Sequence, residues 1–276
     1  MLAIEVTQLT KRYDTVTALD RISFEVRAGE IMGFLGPNGA GKTTTLRILT
    51  GLIAPTEGLV RLNGLNAQTH SLAIRRQIGY LPENVALYPE LRVEEYLTYR
   101  ARIKGVPRAE RRGRVDEVMQ RCAVTDVRRK LIGRLSKGYR QRTALADCLM
   151  GRPSILILDE PTVGLDPHQI RQTRDLIKSL GKTTTIFLST HILPEVEMIC
   201  DRVTIIDQGR IVAVDTPANL RQNVSGGQAV QVELRGEDGV IQQALAQLAA
   251  MPGLQADVRV PLEEVFIRLT TQEKEA

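Results

Sequence analysis

Hydrophobic and polar residues alternate near the amino terminus in the manner of β-strands. The alternation covers residues 3–9 and 21–26, and the apolar run Ile31–Leu35 follows a turn at Ala28-Gly29-Glu30. A period of two places every second side chain on the same face of a strand, whereas a short, uninterrupted apolar run is typical of a buried strand. The first part of the chain is therefore predicted to be rich in β-structure.

Apolar residues take helical spacing between Val93 and about Met150, where strand patterns are few. The helical pattern breaks at Gly105-Val106-Pro107 and again near Gly133, because glycine and proline interrupt helices. We therefore predict a helical insertion at about residues 93–150.

Strands and helices alternate again after this insertion. Alternation of this kind is typical of a parallel sheet that is covered by helices. The predicted elements are strand Ile155–Leu158, helix Pro167–Leu180, strand Thr184–Leu188, helix Pro194–Cys200, strand Val203–Ile206 and a hairpin turn at Asp207-Gln208-Gly209 that leads into strand Ile211–Val214.

Residues 223–228, with the sequence NVSGGQ, are polar and contain two glycines, so they are predicted to form a linker. The expected domains are residues 1–222 before the linker and a small α+β extension at 229–276 after it. The sequence leaves open whether the extension regulates, dimerises or contacts a partner. Its predicted strands and helices are Val230–Leu234, Val240–Ala249, Gln255–Val260 and Leu262–Leu269.

The composition is that of an ordinary globular protein, because 43% of the 276 residues are hydrophobic and 25% are charged. The longest apolar runs fall far short of the roughly 20 residues that a membrane helix needs, and the first residues lack a signal-peptide pattern. The 3 cysteines have no CxxC spacing, so neither a disulfide framework nor a zinc site is indicated. These features predict a cytosolic protein.

The net charge of +5 fits a nucleic-acid binder and equally a protein that handles nucleotides near an anionic membrane. Arginines concentrate between Arg100 and Arg142, whereas the first part of the chain is nearly balanced. Because aromatic residues that could stack on bases are few, a solvated helical surface is the better interpretation of this basic segment. We expect no nucleic-acid partner.

A phosphate-binding loop follows the predicted strand Ile31–Leu35. It matches GxxxxGK[ST] and precedes an amphipathic helix. Glycines let backbone N–H groups approach phosphate oxygens, while Lys42 is predicted to reach the β- and γ-phosphates and the Thr43 hydroxyl to bind Mg²⁺. The predicted nucleotide-binding residues of this segment are Gly36, Pro37, Asn38, Gly39, Ala40, Gly41, Lys42, Thr43 and Thr44.

The string GKTTT occurs a second time, at Gly181–Thr185. There it leads from a predicted helix into a strand, and Leu176 stands where the first glycine of a phosphate loop is required. We therefore interpret Gly181 as the C-cap of a helix, without a nucleotide role.

Two adjacent carboxylates, Asp159 and Glu160, follow the apolar residues of a predicted strand at the edge where ligands bind in open α/β sheets. Asp159 suits a Mg²⁺ shell, and Glu160 suits the polarisation of an attacking water. His191 follows the next strand, where it could contact a γ-phosphate. Alone, the carboxylates could cap a helix and the histidine could be an ordinary polar residue, but the phosphate loop favours catalysis.

The segment Leu135–Arg142, LSKGYRQR, has the features of half a phosphate site. Ser136 and Gly138 stand at the start of a helical run, where free backbone N–H groups and the helix dipole attract an anion. Because the chain already contains a complete phosphate loop, the residues alone leave open what this additional half-site would contact.

With these motifs in this order, residues 2–222 resemble the ATP-binding subunits of ABC transporters. The resemblance is carried by GPNGAGKTT, LSKGYRQR, ILILDEPTVGLDP and STH. The segments GYLPENVALYPEL, STHILPEVEMICDRV and LEEVFIRLT are similar to the export-type branch, which includes drug, antibiotic, copper-related and gliding-associated transporters. The resemblance implies an α/β P-loop NTPase fold with an antiparallel β subdomain, a helical subdomain and a small α+β extension.

The resemblance also implies roles for residues outside the phosphate loop. Tyr13 is expected to stack on adenine, and Glu83 stands where the family has a glutamine; a carboxylate there adds negative charge. In the signature, Lys137 and Tyr139 replace the commoner Gly and Gln. The implied sets are the in-trans signature Ser136, Lys137, Gly138 and Tyr139, the D-loop Gly164, Leu165 and Asp166, the metal ligands Thr43, Glu83 and Asp159, and the catalytic pair Glu160 and His191.

The implied mechanism is that two subunits, expected to be a homodimer, sandwich ATP with Mg²⁺ and drive a transmembrane permease. The chain would then be peripheral, on the cytoplasmic side of the cell membrane. A soluble ABC ATPase that acts on DNA or in translation is the alternative, although such proteins typically have CxxC pairs, a long coiled-coil insertion or two cassettes. A binding module without turnover is a third class, which the catalytic residues argue against.

Overall fold

Two β-sheets and the helices packed against them are described for residues 1–222 by a computed structural model, which also describes the single positions 243 and 247. The chain divides into two compact units, Met1–Asn223 and Val224–Ala276. The features below all belong to the first unit. The linker predicted at 223–228 and the strands and helices predicted beyond it lie outside the described residues, apart from those two positions.

The strands are β1 Leu2–Tyr13, β2 Val16–Arg27, β3 Ile31–Leu35, β4 Glu57–Leu62, β5 Leu65–Asn66, β6 Ile78–Leu81, β7 Ile155–Asp159, β8 Thr185–Thr190, β9 Arg202–Asp207 and β10 Arg210–Asp215. The helices are α1 Lys42–Leu49, α2 Ser71–Gln77, α3 Val93–Ile103, α4 Arg111–Arg121, α5 Lys137–Leu149, α6 Pro167–Gly181, α7 Leu193–Ile199 and α8 Pro217–Gln222, with short 3₁₀ turns at Thr125–Val127 and Ile132–Arg134.

The larger sheet has the strand order β10-β9-β3-β8-β7-β6. Its neighbouring strands from β9 to β6 pair in parallel, and β10 returns antiparallel to β9. Gln208 and Gly209 in the β9–β10 hairpin have φ values of 45° and 75°, and two positive values in succession are typical of a type I′ turn. The predicted parallel sheet and the predicted hairpin are confirmed.

The strand β7 shows why the centre of this sheet is apolar throughout. Leu156 and Leu158 on one face join the apolar cluster beneath the helices, whereas Ile155 and Ile157 on the other face join the cluster beneath the smaller sheet. A strand with both faces buried needs apolar residues on both.

The smaller sheet is antiparallel, with the order β2-β1-β4-β5. Three aromatic rings join it to the larger sheet. Phe24 from β2 stacks on Phe187 from β8 with 5.5 Å between ring centroids, and Phe34 from β3 lies 5.2 Å from Phe187. Stacked and tilted rings at these distances add specific packing to the burial of apolar area. The predicted antiparallel β subdomain is thus confirmed.

The helices α3, α4 and α5 pack together within the insertion predicted at 93–150, so the helical spacing of that segment is confirmed. Partly buried polar contacts fix α3 on α5. Arg100 Nε donates to Asp147 Oδ1 at 2.9 Å, and Lys104 Nζ lies 3.2 Å from the same oxygen. Among the helices of residues 1–222, none combines the length and the apolar character that crossing a membrane requires.

Five strands and helices escape the sequence pattern, namely β4, β5, α2, β6 and α8. Each has seven residues or fewer, too few for a period to repeat convincingly. The strand β8 also extends past its predicted end at Leu188. The apolar pattern stops there because Ser189 and Thr190 are polar, but both residues are completely buried within the sheet.

The interpretation of Gly181 as a helix C-cap is wrong. Gly181 is the last residue of α6, and Lys182 is the cap, with right-handed backbone geometry. A Cβ at position 181 would lie 2.4 Å from the side chain of Ile31. Glycine therefore lets α6 approach β3 closely without displacing the Ile31 side chain.

Candidate functional site

The phosphate loop connects the carboxyl end of β3 to the start of α1. Gly41 has a φ of 107°, and a Cβ there would lie 2.8 Å from the backbone oxygen of Ala18. A Cβ on Gly36 would lie 2.2 Å from the backbone oxygen of Ile206. A Cβ on Gly39 would meet no atom within 4 Å. Packing requires the first two glycines, and the third leaves room above the loop.

The Lys42 ammonium lies inside the curve of this loop. Its Nζ donates to the backbone oxygens of Gly36 at 2.7 Å and Pro37 at 3.1 Å, and lies 3.5 Å from Glu160 Oε1. Lys42 and Glu160 are only 6% and 7% exposed. A buried ammonium with its charge facing the loop can attract a phosphate oxygen.

Glu160 and His191 come together because β7 and β8 are neighbours in the sheet. The register pairs Asp159 with Ser189, so the residues that follow are close. His191 Nδ1 lies 3.0 Å from both carboxylate oxygens of Glu160. Glu160 has a φ of 46°, a left-handed conformation that costs about 1–3 kcal/mol outside glycine. Strain of this kind is common at functional sites, where surrounding contacts hold it in place.

Asp159 lies deeper, with 1% of its surface exposed, and accepts a hydrogen bond of 2.5 Å from Ser189 Oγ. Burial raises the pKa of the Asp159 carboxyl, and the nearby charges of Glu160 and Glu83 raise it as well. Hydrogen bonds from Ser189 and Thr43 act in the opposite direction. Negative charge is thus concentrated beside the phosphate loop.

The oxygen donors at this point suit Mg²⁺. They are the Thr43 hydroxyl and the carboxylates of Asp159 and Glu83. Thr43 and Glu83 lie close enough to Asp159 to affect its pKa. Within residues 1–222, no group of three or more acidic, histidine or cysteine side chains forms a metal cage. Mg²⁺ usually takes only one or two protein carboxylates and binds substrate phosphates and water besides.

Thr43 and Glu83 line a cavity of about 300 Å³, whereas Asp159 is not part of its lining. It brings together the phosphate loop, the position of the family's glutamine, both predicted catalytic residues and Val163, the first residue of the predicted D-loop segment, with one residue that the sequence did not reveal, Ala18. The lining residues are Ala18, Asn38, Gly39, Gly41, Lys42, Thr43, Thr44, Glu83, Glu160, Val163 and His191.

Tyr13 does not line this cavity. It ends β1, opposite Val16 in the β1–β2 hairpin, and is 42% exposed. Lys11 Nζ lies 4.9 Å from the centroid of its ring. The same hairpin supplies Ala18 to the cavity, so the exposed ring and the cavity share one structural element.

The signature residues lie at the start of α5, away from the cavity lining. Ser136 caps this helix, since its Oγ accepts from the Tyr139 N–H at 3.4 Å. Ser136 and Lys137 are exposed, whereas Gly138 is buried, and a Cβ there would lie 2.6 Å from Gln169 Oε1. The predicted half-site is therefore open to solvent and separate from the phosphate loop of its own chain.

The two unusual signature residues hold α5 to its surroundings. The Tyr139 hydroxyl donates to the Asp126 carboxylate, and the Arg142 guanidinium lies 4.4 Å from the centroid of the Tyr139 ring. Lys137 covers Gly164, because its Nζ would lie 2.1 Å from a Cβ at that glycine. Tyr139 thus contacts the 3₁₀ turn Thr125–Val127, and Lys137 contacts Gly164 of the predicted D-loop.

The D-loop lies between β7 and α6. Gly164, with a φ of 71°, and Asp166 are exposed, whereas Leu165 is half-buried. Asp166 Oδ1 accepts from the Gln169 N–H at 2.8 Å and so caps α6. Asp166 therefore has a structural role within its own subunit.

A buried polar group behind the cavity also escaped the sequence reasoning. It consists of Thr162, Ser189, Thr190 and Glu195, all 2% exposed or less. The only local signal was the pair of polar residues Ser189-Thr190 after an apolar run. Glu195 gave none, because a glutamate in a short amphipathic helix normally lies at the surface.

Comparison with family models confirms the predicted family. The model described as "ABC transporter" matches residues 19–163, which include the phosphate loop, the signature and the Asp159-Glu160 pair. A second model, described as "AAA domain, putative AbiEii toxin, Type IV TA system", matches residues 131–198.

Individual proteins are similar over most of the chain. The bacitracin transport ATP-binding protein BcrA of Bacillus licheniformis is 42% identical over 75% of this chain and 68% of that protein. The Nod factor export ATP-binding protein I of Ralstonia nicotianae is 34% identical over 98% of this chain and 94% of that protein. A solved dimeric ATP-binding cassette, bound to ADP and Pi in a post-hydrolysis state, has a TM-score of 0.71 and 26% identity over 78% of this chain and 98% of that one.

We expect Asp159→Asn to raise the melting temperature of the nucleotide-free, metal-free protein at neutral pH. Burial raises the pKa of Asp159 above its unfolded value, so the ionised form opposes folding. As the pH falls through the raised pKa, the folded wild-type protein takes up the proton. The difference in melting temperature between variant and wild type should therefore shrink as the pH approaches the unfolded pKa of about 3.9. Thermal melts in EDTA between neutral and acidic pH measure this.

Asp20→Asn is the matched control for this prediction. Hydrogen bonds from Arg210 and Arg21 lower the pKa of Asp20, so its ionised form does not oppose folding and this variant should not melt higher. A melting temperature of Asp159→Asn at or below that of wild type at neutral pH would contradict the prediction.

Proposed function

The chain belongs to the ABC transporter family, and on that premise we propose how its residues bind and hydrolyse ATP. It is an ATP-binding and ATP-hydrolysing subunit that powers a membrane transporter. The proposal is carried by one observation: the charged or polar ends of Lys42, Glu160 and His191 meet above the phosphate loop.

In the proposed complex, the backbone N–H groups of the phosphate loop and Lys42 Nζ bind the β- and γ-phosphates. The Glu160 carboxylate accepts a proton from the attacking water. The new bond forms between that water oxygen and the γ-phosphorus, while the bond from this phosphorus to the β–γ bridging oxygen breaks, giving ADP and phosphate. His191 keeps the Glu160 carboxylate oriented and contacts a γ-phosphate oxygen.

Thr43, Asp159 and Glu83 are the residues proposed to hold Mg²⁺. When bound, the ion neutralises charge on the β- and γ-phosphates. Glu83 brings more negative charge to this position than an amide does, and it already raises the pKa of Asp159. Tyr13, whose ring is accessible, is proposed to stack on the adenine base.

We assign the other half of each ATP site to a second copy of the chain. Ser136 lies at the exposed start of α5, and its hydroxyl proton is available because the oxygen only accepts within the helix cap. The signature does not line the cavity of its own subunit, so it can complete a site only in a partner. The solved dimer of a similar cassette supports this arrangement.

The transporter is proposed to be an exporter, with this chain at the cytoplasmic face of the membrane. Relatives named for bacitracin transport and Nod factor export support that direction. An exposed aromatic surface suits the permease contact: Tyr88 and Tyr99 are 43% and 40% exposed, with 5.8 Å between their ring centroids. Tyr88 also packs 5.9 Å from Tyr96 of the helical insertion. Large exposed aromatic residues are typical of interface anchors.

Glu160→Gln should keep ATP binding but nearly abolish turnover, because the amide retains the shape of the carboxylate and cannot accept the proton. The closed, ATP-bound dimer should accumulate. Phosphate release, nucleotide binding and size-exclusion chromatography measure the three effects. Wild-type turnover in this variant would remove Glu160 as the base.

Ser136→Arg should block ATP-driven dimerisation without weakening ATP binding by the monomer, because a long side chain would occupy the exposed half-site. Light scattering with the hydrolysis-deficient Glu160→Gln background gives the dimer fraction, and a fluorescent nucleotide gives the affinity. Ser136→Thr, which keeps the hydroxyl, is the control for the position. An equal loss of monomer binding and dimerisation would count against a role in trans.

Tyr88→Ala combined with Tyr99→Ala should leave the ATPase activity of the isolated subunit near wild type but weaken its complex with the permease by about 2 kcal/mol or more. Co-purification and transport in membrane vesicles test this. Leu72→Ala, at a residue that is 71% exposed on α2, is the control. If the paired variant affects neither complex formation nor transport, this surface is not the contact.

A further inference from the structure

Glu195 is an almost completely buried carboxylate behind the ATP cavity. It belongs to the short helix α7, is 1% exposed and does not line the cavity. The hydroxyl of Thr162 donates to its Oε1, and the hydroxyl of Thr190 donates to its Oε2 at 3.0 Å. Arg174 Nη2 lies 3.9 Å from Oε1. One carboxylate thus connects three separate parts of the chain.

The two threonines belong to the segments that carry the proposed catalytic pair. Thr162 stands two residues after Glu160, and Thr190 immediately precedes His191. The Thr190 hydroxyl also accepts from the Ile192 N–H at 3.1 Å, which folds the chain tightly around His191. Glu195 therefore bridges the end of the β7 segment and the end of the β8 segment.

Burial of a carboxylate opposes folding unless hydrogen bonds and a counter-charge offset its desolvation. Here two hydroxyl donors and one guanidinium do so, and the two hydroxyl bonds lead towards the cavity. An apolar residue could fill the same space without that cost. Because the two threonine donors belong to the segments of Glu160 and His191, the Glu195 carboxylate can orient those segments as well as fill space.

We propose that Glu195 is a positioning residue for ATP hydrolysis. It fixes the separation of the two segments so that His191 Nδ1 stays 3.0 Å from the Glu160 carboxylate during turnover. Glu195 acts through Thr162 and Thr190, because it does not itself line the cavity. The proposal rests on the catalytic roles proposed above for Glu160 and His191.

The test uses the purified full chain with Mg²⁺ and ATP. Glu195→Gln keeps the size of the side chain but replaces one carboxylate oxygen with an amide nitrogen. That nitrogen cannot accept the hydrogen bond that the Thr190 hydroxyl donates. We expect kcat to fall by about tenfold or more, as for small displacements of reacting groups, while KM and the affinity for a fluorescent ATP analogue stay within about twofold of wild type. Thr190→Val removes the hydrogen bond from Thr190 to Glu195 and leaves the Arg174–Glu195 pair intact. It should likewise lower kcat while KM stays near wild type.

Two comparisons separate positioning from a loss of structure. In a His191→Ala background, Glu195→Gln should cost little further activity, because its effect passes through the lost contact. Glu197→Gln removes a charge from the exposed side of the same helix and should leave kcat unchanged. If Glu195→Gln reduces kcat equally in both backgrounds, or only in proportion to a loss of folded protein by circular dichroism, the positioning role is overturned.

Glu160→Gln distinguishes this proposal from the one on which it rests. If Glu160→Gln retains turnover, the catalytic assignment fails, and the positioning role fails with it. If Glu160→Gln is inactive while Glu195→Gln and Thr190→Val both turn over like wild type, only the positioning role is overturned.

Discussion

The site depends on the register of parallel strands that end at one edge of the larger sheet. Leu35 pairs with Thr190, and Asp159 pairs with Ser189, so segments far apart in the sequence leave the sheet side by side. Parallel pairing needs long crossover connections and burial of both faces. The apolar clusters on the two faces provide that burial, and the phosphate loop follows β3 at the edge they stabilise.

The edge itself contains features that oppose folding. Asp159 has a raised pKa because it is buried near other carboxylates, and Glu160 has a left-handed backbone. Lys42 is a buried ammonium that faces loop carbonyls. Each feature concentrates charge or fixes a side chain where ATP phosphates are proposed to bind. Stability is supplied elsewhere, largely by the aromatic and aliphatic packing between the sheets, as is common when activity requires strain.

The signature segment is proposed to supply half of a site that a second subunit completes. Tyr139 and Lys137 depart from the common signature, and both make contacts within their own subunit. Arg142 packs on the Tyr139 ring and donates to Gln172 of α6 at 2.7 Å. The signature helix is thereby joined to the helix that follows the D-loop. Ser136 remains exposed, so Tyr139 and Lys137 make contacts within their own subunit without covering the proposed half-site.

The sequence by itself determined the phosphate loop, the helical insertion and the position of Glu160 at the end of a strand, because motifs and periodicity are properties of neighbouring residues. It also showed that the signature is half a site. Only the tertiary structure decided that Gly181 lies against the side chain of Ile31, that Ala18 lines the cavity and that Glu195 connects the segments that carry Glu160 and His191. These features depend on strand order and on buried contacts between residues distant along the chain, and no local pattern contains that information.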